Sequence, residues 1–150
     1  MISYYKNQFI HSDKNHINQN LFNGIGVFET IKFLNNKMLF FNEHINRLFS
    51  NNFFDFTNIK KEKIYDNAVK VIEQNSISKG LVKIIISPVS EDWSELEYYI
   101  FLRELPKIKM PIVKIIFYKE SLYPILRFNP MHKSLSYMGN FMAKRDANSE

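Results

Sequence analysis

Lys133 and Tyr137 are spaced as one helical turn in HKSLSYMGNFMAKRDANSE, residues 132–150. A lysine becomes a nucleophile only after losing its proton, which requires burial or cationic neighbours. Without those it is a solvated surface charge. Tyr137 could pack in a core, or set its hydroxyl beside whatever Lys133 binds. Arg47 lies in FNEHINRLF, off the apolar stripe of Ile45, Leu48 and Phe49. Two readings fit it. One is an i,i+4 ion pair with Glu43. The other is an anion ligand, because a guanidinium offers paired donors to a phosphate. His11, His16, His44 and His132 have no metal-ligand spacing, so no metal site is expected. Gly24-Ile25-Gly26 invites comparison with a phosphate loop. It leads into a strand, however, and lacks the Gly-Lys-Ser/Thr ending. Its glycines are read as serving an unusual backbone conformation before that strand.

The elements that must carry these residues follow from periodicity. MISYYKNQFI reads as strand with a turn at Lys6-Asn7, and residues 11–23 read as a polar loop. GVFETIKFL alternates, with Val27, Glu29, Ile31 and Phe33 on one face and Phe28, Thr30, Lys32 and Leu34 on the other. Asn35-Asn36 is hairpin chemistry, and KMLFF is the expected return strand. Asn42 is the expected N-cap of a helix, with Glu43 at its positive end. A second helix fits 60–75, with Ile64, Ala68, Val71 and Ile72 in register. LVKIIIS, ELEYYIFLREL and PIVKIIFY read as three further strands. Residues 119–133 are irregular, and a last helix is expected from about Ser134, with Leu135, Met138, Phe141 and Met142 facing one way. The order predicts an α+β fold with a largely antiparallel sheet and two helices.

Composition sets the class. A chain of 150 residues that is 45% hydrophobic, with 14 Phe and 8 Tyr, has the material for a core and defaults to one domain. It has no Cys, which excludes disulfides and thiolate chemistry and fits a reducing compartment. The N-terminal stretch has no signal-peptide pattern, and no apolar run approaches a membrane span. A cytoplasmic location is expected. The net charge of +5 comes from lysines dispersed among apolar and acidic residues, which reads as a solvated surface rather than a nucleic-acid footprint.

Three segments together resemble the class-IV aminotransferases, the branched-chain and D-amino-acid aminotransferase family that also contains aminodeoxychorismate lyase. They are NGIGVFETIKFLNNKMLFFNEHINRLF at 23–49, GLVKIIIS at 80–87 and KSLSYMGNFMAKRDA at 133–147. The resemblance covers nearly the whole chain. It implies pyridoxal 5′-phosphate as cofactor, with Lys133 forming the Schiff base and acting as general base and acid at the substrate α-carbon. It implies that Arg47 binds the cofactor phosphate and that Tyr137 hydrogen-bonds the phenolic oxygen. Phe28 and Lys83 would line the substrate side, with Lys83 the candidate for a substrate carboxylate. The substrates implied are amino acids and 2-oxo acids, and the assembly implied is a homodimer. Asn23, Ile25 and Pro88-Val89 depart from the family pattern, all on the substrate side.

The resemblance also implies a division of the chain. Residues 1–118 would form the small domain, 119–132 the linker, and 133–150 the start of a larger cofactor-binding domain whose remainder is absent. That larger domain supplies the carboxylate that keeps the cofactor's pyridine nitrogen protonated. Asp146 and Glu150 are the acids that follow Lys133. On a continuous helix Asp146 would lie roughly 20 Å along the axis from Lys133, too far to serve. The expectation is an amino-acid aminotransferase. Aminodeoxychorismate lyase is the alternative, and a non-catalytic fragment or half of a split enzyme is the reading from a different class.

Overall fold

In the computed structural model, which describes residues 1–5, 7–11, 18–106 and 133–149, one antiparallel sheet carries helices against one face. The strands are β1 (Ile2–Tyr5), β2 (Gln8–His11), β3 (Val27–Leu34), β4 (Lys37–Met38), β5 (Lys79–Pro88) and β6 (Leu96–Arg103). The helices are α1 (Gln19–Phe22), α2 (Phe41–Phe49), α3 (Lys61–Gln74) and α4 (Met138–Ser149). The spatial order of the sheet is β2-β1-β6-β5-β3-β4. The fold is α+β, as the sequence order predicts.

Alternation decides which side chains meet the helices. Val27, Ile31 and Phe33 of β3 join Val82, Ile84 and Ile86 of β5 and Tyr98, Ile100 and Leu102 of β6 on one buried face. Ile45 and Leu48 of α2 and Ile64, Ala68, Val71 and Ile72 of α3 close over it. Each fully buried Ile contributes about 1.5–3 kcal/mol relative to exposure, so this face dominates the stability. The opposite face is a smaller cluster: Tyr5, Ile85 and Tyr99 are buried, with Phe28, Phe101, Leu21 and Leu135 packed on them. Among the described residues, no helix is long and apolar enough to cross a membrane.

Several local expectations are corrected. KMLFF does not continue as a strand, because Phe40 turns into the left-handed region (φ 54°) and α2 starts at Phe41. The apolar stripe of α2 therefore extends back one turn to Phe41, whose ring meets Tyr65 of α3 edge-on at 4.9 Å. Asn42 lies inside the helix, and Phe40 occupies the cap position without a side-chain cap bond. The polar stretch before β3 contains the single turn of α1, capped by the Asn18 side chain, which accepts from Leu21 N–H. Asn35 and Asn36 both adopt positive φ, as the hairpin requires. The strand expected over PIVKIIFY, the irregular stretch beyond it, His16 and His132 lie outside the described residues.

Candidate functional site

β4 covers only the C-terminal part of β3, at Phe33 and Leu34. The N-terminal part of β3 has an edge available, and the chain returns to it a hundred residues later. Ser134 bridges Val27 in antiparallel sense. Phe28 N–H donates to Lys133 C=O at 2.9 Å, and Leu135 N–H donates to Gly26 C=O at 3.0 Å. This corrects the expected helix from Ser134. Residues 133–135 are extended because their backbone groups pair with the sheet, and α4 begins at Met138. Lys133 and Tyr137 are thus not one helical turn apart. Leu135 leaves the expected helical stripe and packs against the second face, while Met138 and Phe141 are exposed. Asp146 lies within α4.

The two glycines set this geometry. Gly24 has φ +75° and Gly26 φ +155°. A Cβ on Gly26 would stand 2.7 Å from Ile86 carbonyl oxygen and 2.8 Å from Leu135 Cδ1. The bare backbone lets the 133–135 segment lie flat against β3. Ser87 Oγ anchors the same turn by donating to Ile25 C=O at 2.8 Å.

At this edge sits a carboxylate that the sequence reading places on one strand face with Val27, Ile31 and Phe33 but gives no role. Glu29 is fully buried among Val27, Ile31 and Phe33. Arg47 Nη2 donates to its Oε2 at 2.7 Å, and Arg47 Nε bonds its Oε1. His44 Nδ1 lies 2.9 Å from Oε2, and Lys133 Nζ lies 3.9 Å from the same oxygen. His44 and Arg47, three apart on α2, project from one helix face toward β3. Arg47 therefore pairs with Glu29 rather than with Glu43. Burial pushes the Glu29 carboxyl pKa up. The hydrogen bonds from Arg47 and His44, with the charges of Lys133 and Arg47, more than offset it, so the pKa ends below the usual 4.5. The signal for Glu29 was present in the sequence as an acid on an otherwise apolar strand face. His44 carried no such signal, because its role depends on where α2 docks.

The remaining predicted residues gather around Phe28. Lys133 Nζ stands 5.3 Å and Lys83 Nζ 4.6 Å from the centre of its ring, and the Tyr137 ring meets it edge-on at 5.7 Å. Lys83 has no carboxylate partner among the described residues. Burial lowers its ammonium pKa, and the charges of Arg103 and Lys133 lower it further. The structure thus gathers Lys133, Arg47, Tyr137, Phe28 and Lys83 around the N-terminal half of β3, with Arg47 at Glu29 on one face and Tyr137 and Lys83 at Phe28 on the other. Arg47, Phe28, Glu29 and Lys133 line a small crevice there. A roomier groove runs between α2 and α3 past Phe41, Lys61, Tyr65 and Asp66, but it holds none of the five.

Comparison with known proteins identifies the family and the fold. The family model described as amino-transferase class IV matches residues 26–150. No curated protein matches. Among solved structures, the branched-chain aminotransferase of the thermophilic archaeon Thermoproteus uzoniensis, solved with norvaline, superposes with a TM-score of 0.69 at 17% identity, covering 99% of this chain and 56% of that one. A candidate 4-amino-4-deoxychorismate lyase from Legionella pneumophila gives 0.67 at 22% identity, covering 89% and 52%. A hypothetical aminotransferase from Mycobacterium tuberculosis, solved in a PLP-bound form, gives 0.55 at 18% identity, covering 71% and 40%. The chain spans about half the length of these structures. With the family model matched over most of its length, the chain belongs to the class IV aminotransferases.

Proposed function

We propose that this chain forms the lysine-bearing half of a pyridoxal-phosphate-dependent amino-acid aminotransferase. The observation that carries the reading is the meeting of Lys133 and Arg47 on one oxygen of Glu29, from segments more than eighty positions apart. The donor set suits the cofactor. Lys133 offers an amine at the rim of the crevice, and Tyr137 lies across the Phe28 ring. Arg47 engages Glu29 through one edge, and its side chain is 42% exposed, so further N–H groups are available to a phosphate. Lys133 would hold the cofactor aldehyde, Arg47 its phosphate and Tyr137 its phenolic oxygen. Bound there, pyridoxal phosphate would supply an electron-poor ring able to take up negative charge from the substrate α-carbon. Lys133 would remove the proton at that carbon and return one at the end of the transfer. Lys83 would receive the substrate carboxylate, a role suited to a half-buried cation without a carboxylate partner among the described residues.

In this reading residues 1–118 are the small domain, 119–132 the linker and 133–150 the opening of the cofactor domain. The working enzyme is a cytoplasmic homodimer acting on amino acids and 2-oxo acids. A second reading, aminodeoxychorismate lyase, draws on Lys83 beside Phe28 and on the similarity to the Legionella structure. The test is to mix the chain with pyridoxal phosphate, reduce with borohydride and map the modified lysines. Stoichiometric labelling at Lys133 is expected. Labels scattered over surface lysines would leave this chain a non-catalytic fragment or one half of a split enzyme. Given labelling at Lys133, turnover of 2-oxo acids against aminodeoxychorismate separates the two activities.

A further inference from the structure

A fully buried glutamate on an apolar strand face is costly unless its charge is answered by hydrogen bonds and counter-ions. Glu29 is answered on both oxygens. An ionised carboxylate only accepts, so His44 Nδ1 must carry the proton and donate to Oε2. The 3.3 Å approach of Arg47 Nη2 to His44 Nδ1 is then a contact between two donors that share one acceptor. Arg47 spends its Nε–H and one Nη2–H on Glu29. A guanidinium is planar, so this fixes the direction of the N–H groups that remain.

Charge counting at the crevice is also specific. Glu29 carries one negative charge, and Arg47 and Lys133 carry one positive charge each. Arg47 and Lys133 together thus leave one positive charge in excess over Glu29. Without Glu29 the guanidinium and the lysine would repel each other, and Arg47 would be free to turn toward solvent.

We propose that Glu29 is a positioning residue that locks Arg47 by its Nε–Nη2 edge and so aims the other edge at a phosphate monoester, while the same oxygen draws Lys133 to the crevice. It rests on the proposed function, because it requires that Arg47 meets the phosphate. Glu29 touches no reacting atom, and its effect is carried by Arg47.

The test compares pyridoxal 5′-phosphate with phosphate-free pyridoxal as probes of the chain. Borohydride trapping at Lys133 is measured as a function of probe concentration, and circular dichroism monitors folding. The wild-type chain is expected to prefer the phosphorylated probe by about tenfold or more, the scale of a charge-assisted bidentate contact. Glu29→Gln keeps the side-chain shape but sets an amide against the Arg47 donors, and the preference should fall to about threefold or less. In Arg47→Ala the preference should vanish, and adding Glu29→Gln should then change nothing further. If Glu29→Gln does not fold, Glu29→Asp serves in its place, since it retains the charge while retracting it from Arg47. A wild-type chain indifferent to the phosphate would overturn the role proposed for Arg47. A wild-type preference that survives intact in Glu29→Gln, or in Glu29→Asp where that is the folded variant, would overturn the role of Glu29 alone. Unfolding of both variants would assign Glu29 to fold stability and equally overturn it.

Discussion

Gly26→Ala offers the sharpest test of how this sheet edge is built. The added methyl would stand 2.7 Å from the Ile86 carbonyl oxygen and 2.8 Å from Leu135 Cδ1. Leu135 can change rotamer, but Ile86 is fully buried in β5 and its carbonyl cannot swing away. An L-residue at φ +155° adds strain of about 1–3 kcal/mol. Overpacking costs typically about 1–3 kcal/mol more. If relief comes from pushing residues 133–135 outward, the Leu135-to-Gly26 bond lengthens, and a hydrogen bond contributes about 1 kcal/mol net. The expected loss is therefore about 2–6 kcal/mol, and about 1 kcal/mol more where that bond is lost, a large share of the roughly 5–15 kcal/mol typical of a domain. Gly24→Ala is the control. Its nearest contact would be 3.8 Å, leaving only the strain of φ +75°, about 1–2 kcal/mol. Urea denaturation of both variants measures the difference, and mapped pyridoxal-phosphate labelling of the folded Gly26→Ala chain reports whether Lys133 has moved. Equal destabilisation by the two substitutions would refute the claim that close approach, rather than backbone conformation, makes Gly26 necessary. So would a Gly26→Ala variant within about 0.5 kcal/mol of the wild type.

Two further predictions concern charge. The Glu29 pKa lies below its unfolded value, so its contribution is fully present above about pH 4.5 and is lost as pH falls through the lowered folded value. Denaturant midpoints should fall more steeply with acidification in the wild type than in Glu29→Gln, and parallel curves would show that Glu29 is not held ionised. Lys83 has its pKa lowered in the folded state, so its charge opposes folding at neutral pH, and the opposition eases as pH rises toward 10.5. Lys83→Met should melt at or above the wild-type temperature at neutral pH, with the gap narrowing in alkali. A clear loss of stability in Lys83→Met would mean that the lysine has a structural partner.

The parts of this fold legible in the sequence are those fixed by short-range periodicity. β3 alternates because its two faces meet different surroundings, and Ile64, Ala68, Val71 and Ile72 bury one face of α3 at the expected spacing. Expectations failed where long-range pairing overrode a local pattern. KSLSYMGNF reads as the start of a helix, yet its first three residues serve the edge of β3 that the short β4 leaves available. Arg47 had a sequence-local partner at the favourable spacing in Glu43. It takes Glu29 instead, because a buried carboxylate requires a partner and an exposed one does not.

That preference links fold to site. β3 turns Phe28 and Glu29 to opposite faces, and Lys133, laid along the strand edge, reaches both the ring and the carboxylate. A lysine on a free-standing helix would have to choose one face. The edge pairing of residues 133–135 is therefore what lets one amine address Arg47 through Glu29 on one side of the sheet and Lys83 across Phe28 on the other. A substitution that detached this segment from β3 should uncouple both groups at once, while leaving the helix-covered core intact.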